Sequence, residues 1–299
     1  MKTHGVFFRG FATLASFFIL AEVGAQADDL FPDKNLDAAV RRYVFAKRDN
    51  DQPLVEDDVK NISTIEARGK KIKSLAGLEK CRSLALLNLA KNEIADLAPI
   101  AELKNIQSLD LSGNQIADIR PLEGLVKLQY LHLASNQVAD IGPIAKLENL
   151  NTLHLSQNKV KDLAPIAGLK KLWSLYADRN EITDLKPLAE LKGLSSLNLS
   201  GNQVTDLAPI AGLSGLSYLF LESNKLGDIG VLIEMARKDG EKEKRFSPYW
   251  QVFLSGNPLK EEQVADLRKS ARKVEFAKEK DGGKDKDKPK EGERKKVAL

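Results

Sequence analysis

Two histidines in matching surroundings are the residues best suited to chemistry in this chain. His132 lies in YLHLASNQV at residues 130–138, and His154 lies in TLHLSQNKV at residues 152–160. The sequence has three histidines, and the third, His4, is close to its start. Imidazole side chains bind metals and transfer protons near neutral pH. The pair therefore indicates either a paired reactive site or two copies of one repeat.

A repeat of 22 residues accounts for the spacing of the two histidines. Asparagine recurs at this interval at positions 92, 114, 136, 158, 180, 202 and 224, with aspartate four residues after each one. Proline recurs at positions 99, 121, 143, 165, 187 and 209. The segment L-x-x-L-x-L before each asparagine alternates as a short strand with one buried face does. One coil cannot bury such a face alone, so neighbouring coils must stack.

The repeat resembles the 22-residue bacterial leucine-rich repeats of internalin-like proteins. The residues that carry the resemblance are the L-x-x-L-x-L-x-x-N core and the I-x-D-L-x-P-I that follows it, as at residues 94–100. The resemblance covers about residues 62–259. It implies an α/β fold: a right-handed solenoid with short parallel strands on a concave face, 3₁₀ or helical turns on a convex face, and helical caps at both ends.

The segments outside the repeats predict the rest of the organisation. Residues 1–27 have the layout of a secretory signal peptide, with a positive start, an apolar run and a small-residue AQA site. We expect a helical N-terminal cap over residues 28–61, with Leu36, Val40, Tyr43 and Val44 on one helix face. About nine repeats follow over residues 62–259, and the eighth is lengthened at residues 236–247. Residues 260–277 predict a C-terminal cap helix, and residues 278–299 predict a disordered lysine-rich tail.

Composition excludes several classes of function. The one cysteine, Cys81, rules out a disulfide within the chain and occupies a leucine position, which predicts a buried thiol. The net charge of +4 lies mainly in the terminal segments, so the body lacks the dense basic face that nucleic acid requires. The sequence has no phosphate-binding loop, H-E-x-x-H motif or nucleophile elbow. We therefore predict no enzyme activity, no catalytic residue, no metal and no cofactor.

The register of the asparagines identifies the side chains that point outward. Residues two, four and six positions before each asparagine project from the strands on the concave face. Their aromatic and histidine members gather between the fourth and eighth repeats, and grouped aromatic rings make good anchors for a partner. The predicted partner-binding residues are Tyr130, His132, His154, Trp173, Tyr176, Asp178, Arg179, Tyr218, Phe220 and Glu222.

The favoured hypothesis is an exported, periplasmic or extracellular interaction module that binds a protein or glycan partner on its concave face. Nucleic acid is not expected as a partner, nor is a transmembrane segment after signal cleavage. Three alternatives stay open. His132 and His154 could bind a metal or serve a metal-dependent enzyme, although such sites need three or four ligands. The lysine-rich tail could hold a structural protein to the envelope, or the repeats could form a scaffold like that of the phosphatase regulators.

Overall fold

The computed structural model describes residues 29–241 and 249–277. Their four helices are α1 (Lys34–Arg41), α2 (Glu56–Val59), α3 (Gly230–Glu241) and α4 (Glu261–Arg268). Their strands are β1 (Thr64–Glu66), β2 (Leu86–Asn88), β3 (Ser108–Asp110), β4 (Tyr130–His132), β5 (Thr152–His154), β6 (Ser174–Tyr176), β7 (Ser196–Asn198), β8 (Tyr218–Phe220), β9 (Gln251–Phe253) and β10 (Lys273–Glu275). Seven 3₁₀ turns lie between strands, at Leu78–Lys80, Ala98–Ile100, Arg120–Leu122, Gly142–Ile144, Ala164–Ile166, Lys186–Leu188 and Ala208–Ile210.

The ten strands form one parallel sheet in chain order, β1 to β10. Equivalent repeat positions lie opposite one another, so that His132 pairs with His154 and His154 pairs with Tyr176. The central residue of strands β1 to β9 is fully buried, and its two neighbours face outward. The predicted solenoid of short strands and 3₁₀ turns is therefore confirmed.

The recurring asparagines form a hydrogen-bonded ladder that joins one coil to the next. The Asn136 amide nitrogen donates to the carbonyls of Leu133 and Leu111, each at 3.0 Å. The Asn136 amide oxygen accepts from the backbone N–H of Ile116 at 3.0 Å. Since backbone groups left open inside a protein are costly, this single side chain satisfies groups in two coils. The same arrangement recurs at the other asparagines of the 22-residue series and at Asn257.

The recurring aspartates start the turns that lead away from the strands. In each repeat the carboxylate accepts a hydrogen bond from the backbone N–H two residues later, as Asp162 does from Ala164 at 2.7 Å. Proline then occupies the first turn of the 3₁₀ segment, where its missing N–H costs nothing. The aspartate and proline positions thus fix the direction in which every coil returns to the next strand.

The N-terminal cap is fastened to the first repeat through Asp33. One carboxylate oxygen caps α1 by accepting from the N–H groups of Asn35 and Leu36, and the other accepts from Lys73 and Ser74. Burial raises the pKa of Asp33, but these four donors outweigh burial and lower it below its usual value. One side chain therefore holds both the helix and the edge of the solenoid.

One residue of the predicted cap face lies elsewhere. Leu36, Val40 and Val44 are buried as expected, whereas Tyr43 is 40% exposed. Since α1 ends at Arg41, Tyr43 leaves the helix face, and its hydroxyl accepts a hydrogen bond from the backbone N–H of Glu66 in β1. The tyrosine thus gives a hydrogen-bond acceptor to a backbone N–H that faces away from the sheet at its edge.

The lengthened repeat begins earlier in the structure than the sequence predicted. The lengthened eighth repeat departs from the others at Gly230 and not at residue 236, because helix α3 already begins where the other repeats have a 3₁₀ turn, with Leu232, Met235 and Ala236 buried. Residues 242–247 of the predicted insertion lie outside the described residues.

The single cap helix predicted over residues 260–277 was wrong in its second half. Helix α4 ends at Arg268, and Lys273–Glu275 forms the tenth strand, which pairs with β9. The extra strand satisfies backbone groups of β9 that a helix would have left open. Val274 thus packs on the core from a strand.

The predicted signal peptide and the predicted tail lie outside the described residues. Within the described ranges, no helix is both long enough and apolar enough to cross a membrane.

Candidate binding surface

Four of the predicted residues form a continuous stack of rings over strands β4 to β6. The His132 and His154 ring centroids are 4.4 Å apart, and His154 and Tyr176 are also 4.4 Å apart with planes within 5°. Tyr130 meets His132 edge-on and lies 5.6 Å from the His154 ring. These distances arise because equivalent positions on parallel strands are separated by one strand spacing. We call these four residues the histidine stack.

Asp110 holds one end of the histidine stack. Its carboxylate lies 3.5 Å from His132 Nδ1 and accepts from the backbone N–H and the hydroxyl of Ser112. Burial raises the pKa of Asp110, but the hydrogen bonds from His132 and Ser112 outweigh burial and lower it to about 2. The carboxylate is therefore ionised at neutral pH.

The two histidines do not have the same electrostatic surroundings. Burial and, to a smaller extent, the neighbouring His132 lower the pKa of His154 to about 4, while Asp110 partly opposes the shift. His154 is therefore a neutral ring at pH 7, stacked between His132 and Tyr176. His154 thus contributes a neutral ring to the stack.

A second ring pair lies two strands further along. Phe220 of β8 stacks on Phe253 of β9 with centroids 4.5 Å apart and planes within 10°. The Lys273 ammonium lies 4.8 Å from the Phe253 ring centroid, close enough for a cation–π contact. The sequence analysis missed Phe253 because the insertion lengthens that repeat. Counting four residues back from Asn257, as in every other repeat, would have found it.

Two predicted acidic residues lie beside the rings. Asp178 accepts from the hydroxyl of Ser156 and from the Asn198 amide, and Glu222 accepts from the hydroxyl of Ser200. Each carboxylate is thus oriented by a serine that lies two residues after the end of the preceding strand. Tyr218 is half-buried at the start of β8, opposite Gln251 of β9.

Two other predicted residues lie next to this surface rather than within a stack. Trp173 precedes β6 and is 63% exposed, and within the described ranges no ring contacts it. Arg179 directly precedes the ladder residue Asn180 and has a φ of 55°. The same position has a positive φ in every repeat, with glycine at Gly69, Gly113, Gly201 and Gly256, because the chain turns sharply into the ladder there.

A surface hollow among the described residues lies away from the ring stacks. A hollow of about 470 Å³ is lined by residues near the 3₁₀ turns, among them Lys104, Arg120 and Lys146, and not by the ring stacks. Across residues 29–241 and 249–277, no three His, Cys, Asp or Glu side chains are grouped so that they could hold a metal ion. Cys81 is fully buried, and burial raises the pKa of its thiol to about 12.

Comparison with known proteins supports the resemblance. The leucine-rich repeat region family matches residues 80–229, half of the chain. Internalin C2 of Listeria monocytogenes is 35% identical, and the match covers 66% of this chain and 95% of that one with a TM-score of 0.54. The functional domain of InlJ from the same species is 21% identical over 84% of this chain and 60% of its own, with a TM-score of 0.64.

A plant protein shares the fold over a shorter length. The ectodomain of the membrane receptor kinase GASSHO1/SCHENGEN3 of Arabidopsis thaliana, solved in complex with CASPARIAN STRIP INTEGRITY FACTOR 2, is 23% identical with a TM-score of 0.52. The match covers 62% of this chain and 23% of that one. No curated protein matches the chain. The family match and the identity to internalin C2 show that this chain belongs to the leucine-rich repeat family and is of the bacterial, internalin-like type.

Proposed function

We propose that this protein is an exported binding module without enzymatic activity, which holds a protein or glycan partner on its concave face. The observation that carries the proposal is the grouping of rings on strands β4 to β6 and β8 to β9. Rigid rings lose little conformational freedom on binding and contribute much of the affinity at protein interfaces. Parallel solenoids present such surfaces as extended platforms for a partner.

Export is supported by the sequence of residues 1–27 alone. Lys2 and Arg9 precede an apolar run at residues 10–20, and the AQA site follows it. A fusion of residues 1–30 to an enzyme that is active only outside the cytoplasm should give activity. The same fusion without residues 10–20 should give none, and activity that survived the deletion would contradict export by this segment.

The binding surface is tested by affinity capture from the native envelope with the mature protein. A Tyr176→Ala/Phe220→Ala variant should lose most of the captured partner, because it removes one ring from each stack. The matched control is Leu86→Ala/Asn88→Ala, which alters β2 on the same face away from the rings. Full capture by the ring variant would show that the partner binds elsewhere.

A further inference from the structure

The row of rings on the concave face has one gap. At the position four residues before the ladder asparagine, strands β4 to β6 carry rings, and so do β8 and β9. Strand β7, between Tyr176 and Phe220, carries Asn198 at that position instead. We call the space above Asn198 the β7 slot.

The walls of the β7 slot are two ring faces that look towards each other. Tyr176 stacks on His154, and Phe220 stacks on Phe253, each from the side remote from β7. Their opposite faces are therefore directed at β7. Two strand spacings separate the rings by about 9–10 Å. A flat group in contact with both faces needs about 7–8 Å, since carbon atoms meet at about 3.5–4 Å. The slot can therefore take one planar group.

The floor of the slot is short and polar. The Asn198 amide is turned towards one side, where its oxygen accepts from the Ser200 N–H at 3.0 Å and its nitrogen donates to Asp178 at 3.2 Å. On the other side the Ser196 hydroxyl lies 3.4 Å from the Tyr176 hydroxyl. Ser196 is buried, whereas Asn198 is partly exposed and shorter than a ring, so the space between the walls lies above Asn198.

The charge beside the slot selects a cation. Asp178 and Glu222 lie two residues after the ends of β6 and β8, on either side of the slot, and within the described ranges neither carboxylate forms an ion pair within 4.0 Å. Arg179 follows Asp178 in the chain, and its side chain lies against Gly201, with its Cγ 3.3 Å from where a Cβ would stand. Ring faces also attract cations. A neutral ring could stack between the two ring faces, but it could not form an ion pair with the carboxylates.

We propose that the β7 slot receives an arginine side chain of the partner, stacked between Tyr176 and Phe220 and paired with Asp178 and Glu222. A guanidinium group is planar, stacks on aromatic faces and donates two parallel hydrogen bonds to carboxylates. It would fill the one missing place in the row of rings. This inference rests on the proposed function, because it names the chemistry of the group that the concave face binds.

The test titrates the full chain with N-acetyl-argininamide and follows the ring signals of Tyr176 and Phe220 by NMR. Saturable shifts are expected. N-acetyl-citrullinamide has nearly the same shape without the charge, and it should bind about tenfold more weakly, a difference of about 1.4 kcal/mol. N-acetyl-phenylalaninamide is expected to be weaker as well. Equal binding of either neutral compound would overturn the assignment of a cation.

Filling the slot provides the structural test. In Asn198→Phe the new ring takes the vacant place, so the arginine-dependent shift of the Phe220 signals should disappear. The matched control is Asn88→Phe at the same position of β2. The Asn88 side chain, like that of Asn198, accepts a hydrogen bond from the backbone N–H two residues later. The control should bind as the unaltered protein does. Binding that survives in Asn198→Phe would place the arginine elsewhere and overturn the proposal.

Arg179 allows a prediction of opposite sign. Its charge repels an incoming guanidinium, so Arg179→Gln should tighten binding of N-acetyl-argininamide, whereas Asp178→Asn/Glu222→Gln should weaken it about tenfold or more. No effect of the double carboxylate variant would overturn the proposal.

The two proposals fail separately. If Asn198→Phe still captures the envelope partner while the Tyr176→Ala/Phe220→Ala variant does not, the concave surface stands and the slot is wrong. If neither variant loses the partner, the proposed function itself is wrong.

Discussion

The asparagine ladder and the concave face are built on the same strands, yet they place the same residue type in opposite roles. Asn180, in the ladder, binds backbone groups of two coils through Leu155, Val160 and Ala177. The side-chain amide of Asn198, on the concave face, bonds to Asp178 and Ser200 beside it. The first position is determined by the backbone that it satisfies. The second is free to vary, which is why a binding surface can be built there.

The largest effect should follow from breaking the ladder. Asn180→Ala leaves the buried N–H of Val160 without an acceptor. It also removes one of two donors from the carbonyls of Leu155 and Ala177, which keep their bonds to Asn158 and Asn202. The free energy of unfolding should therefore fall by about 3 kcal/mol. Asn198→Ala, the same substitution on the concave face, should cost less than about 1 kcal/mol. Urea denaturation of both variants measures the difference. Similar losses would mean that the two positions do not differ as described.

In the N-terminal cap, as in the ladder, a side chain that satisfies backbone groups should matter for stability. Asp33→Ala removes an acceptor for four backbone N–H groups, so we expect unfolding to become easier by about 2 kcal/mol. Asp49, whose side chain is 83% exposed, provides the control, and Asp49→Ala should change the stability by less than about 0.5 kcal/mol. An Asp33→Ala variant as stable as its control would show that the cap is held by apolar burial alone.

The histidine stack should make stability depend on pH. The pKa of His154 is about 4 in the folded protein against an ordinary value of 6.5. Between these values the unfolded chain binds a proton that the folded chain does not, so stability falls as the pH drops from about 6.5 to 4. We expect a loss of about 1–2 kcal/mol after allowance for solvent screening. Urea denaturation at a series of pH values measures it.

The control for this pH dependence is His154→Phe, which keeps a ring in the stack and removes the proton site. Its stability should change less over the same pH range. Asp110, with a pKa of about 2, stays ionised throughout that window and contributes loss of stability only below it. An unchanged pH dependence in His154→Phe would assign the effect to another group.

The smallest effect concerns the sharp turn between the concave face and the ladder. Gly113 has a φ of 67°, so Gly113→Ala should cost about 1 kcal/mol. Gly168 has no positive φ and no atom within 4 Å of an added Cβ, and Gly168→Ala should change stability by less than about 0.5 kcal/mol. Thermal denaturation of the two variants measures their stabilities, and the difference between them is the cost of placing alanine in the turn. A tolerated Gly113→Ala would show that the turn is not strained.

Periodicity predicted the fold in detail because the fold itself is periodic. The strand register, the burial of the central leucines and the ladder follow from counting residues between asparagines. Strand β10 was not predicted because the spacing of Val274 from the apolar residues before it fits a helix face as well as a strand. The position of Tyr43 escaped prediction for a related reason, since nothing in the spacing shows where α1 ends.

The concave face was predicted less completely than the fold. Counting identifies which side chains point outward, and it placed His132, His154 and Tyr176 in one row. It does not give ring orientation, the hydrogen bonds of Asp110 or the free faces on either side of Asn198. Those depend on side-chain torsions and on neighbours from three strands, which no single repeat encodes.

Helix α3 shows that the two sides of the coil are independent in length. Where other repeats make a three-residue turn, this one makes a twelve-residue helix, yet Tyr218 still lies opposite Gln251 in unbroken register. The spacing of the strands therefore does not depend on the length of the segment that connects them on the convex side. A reporter domain joined at the outer side of α3 should leave the distance between any two strands of the concave face unchanged.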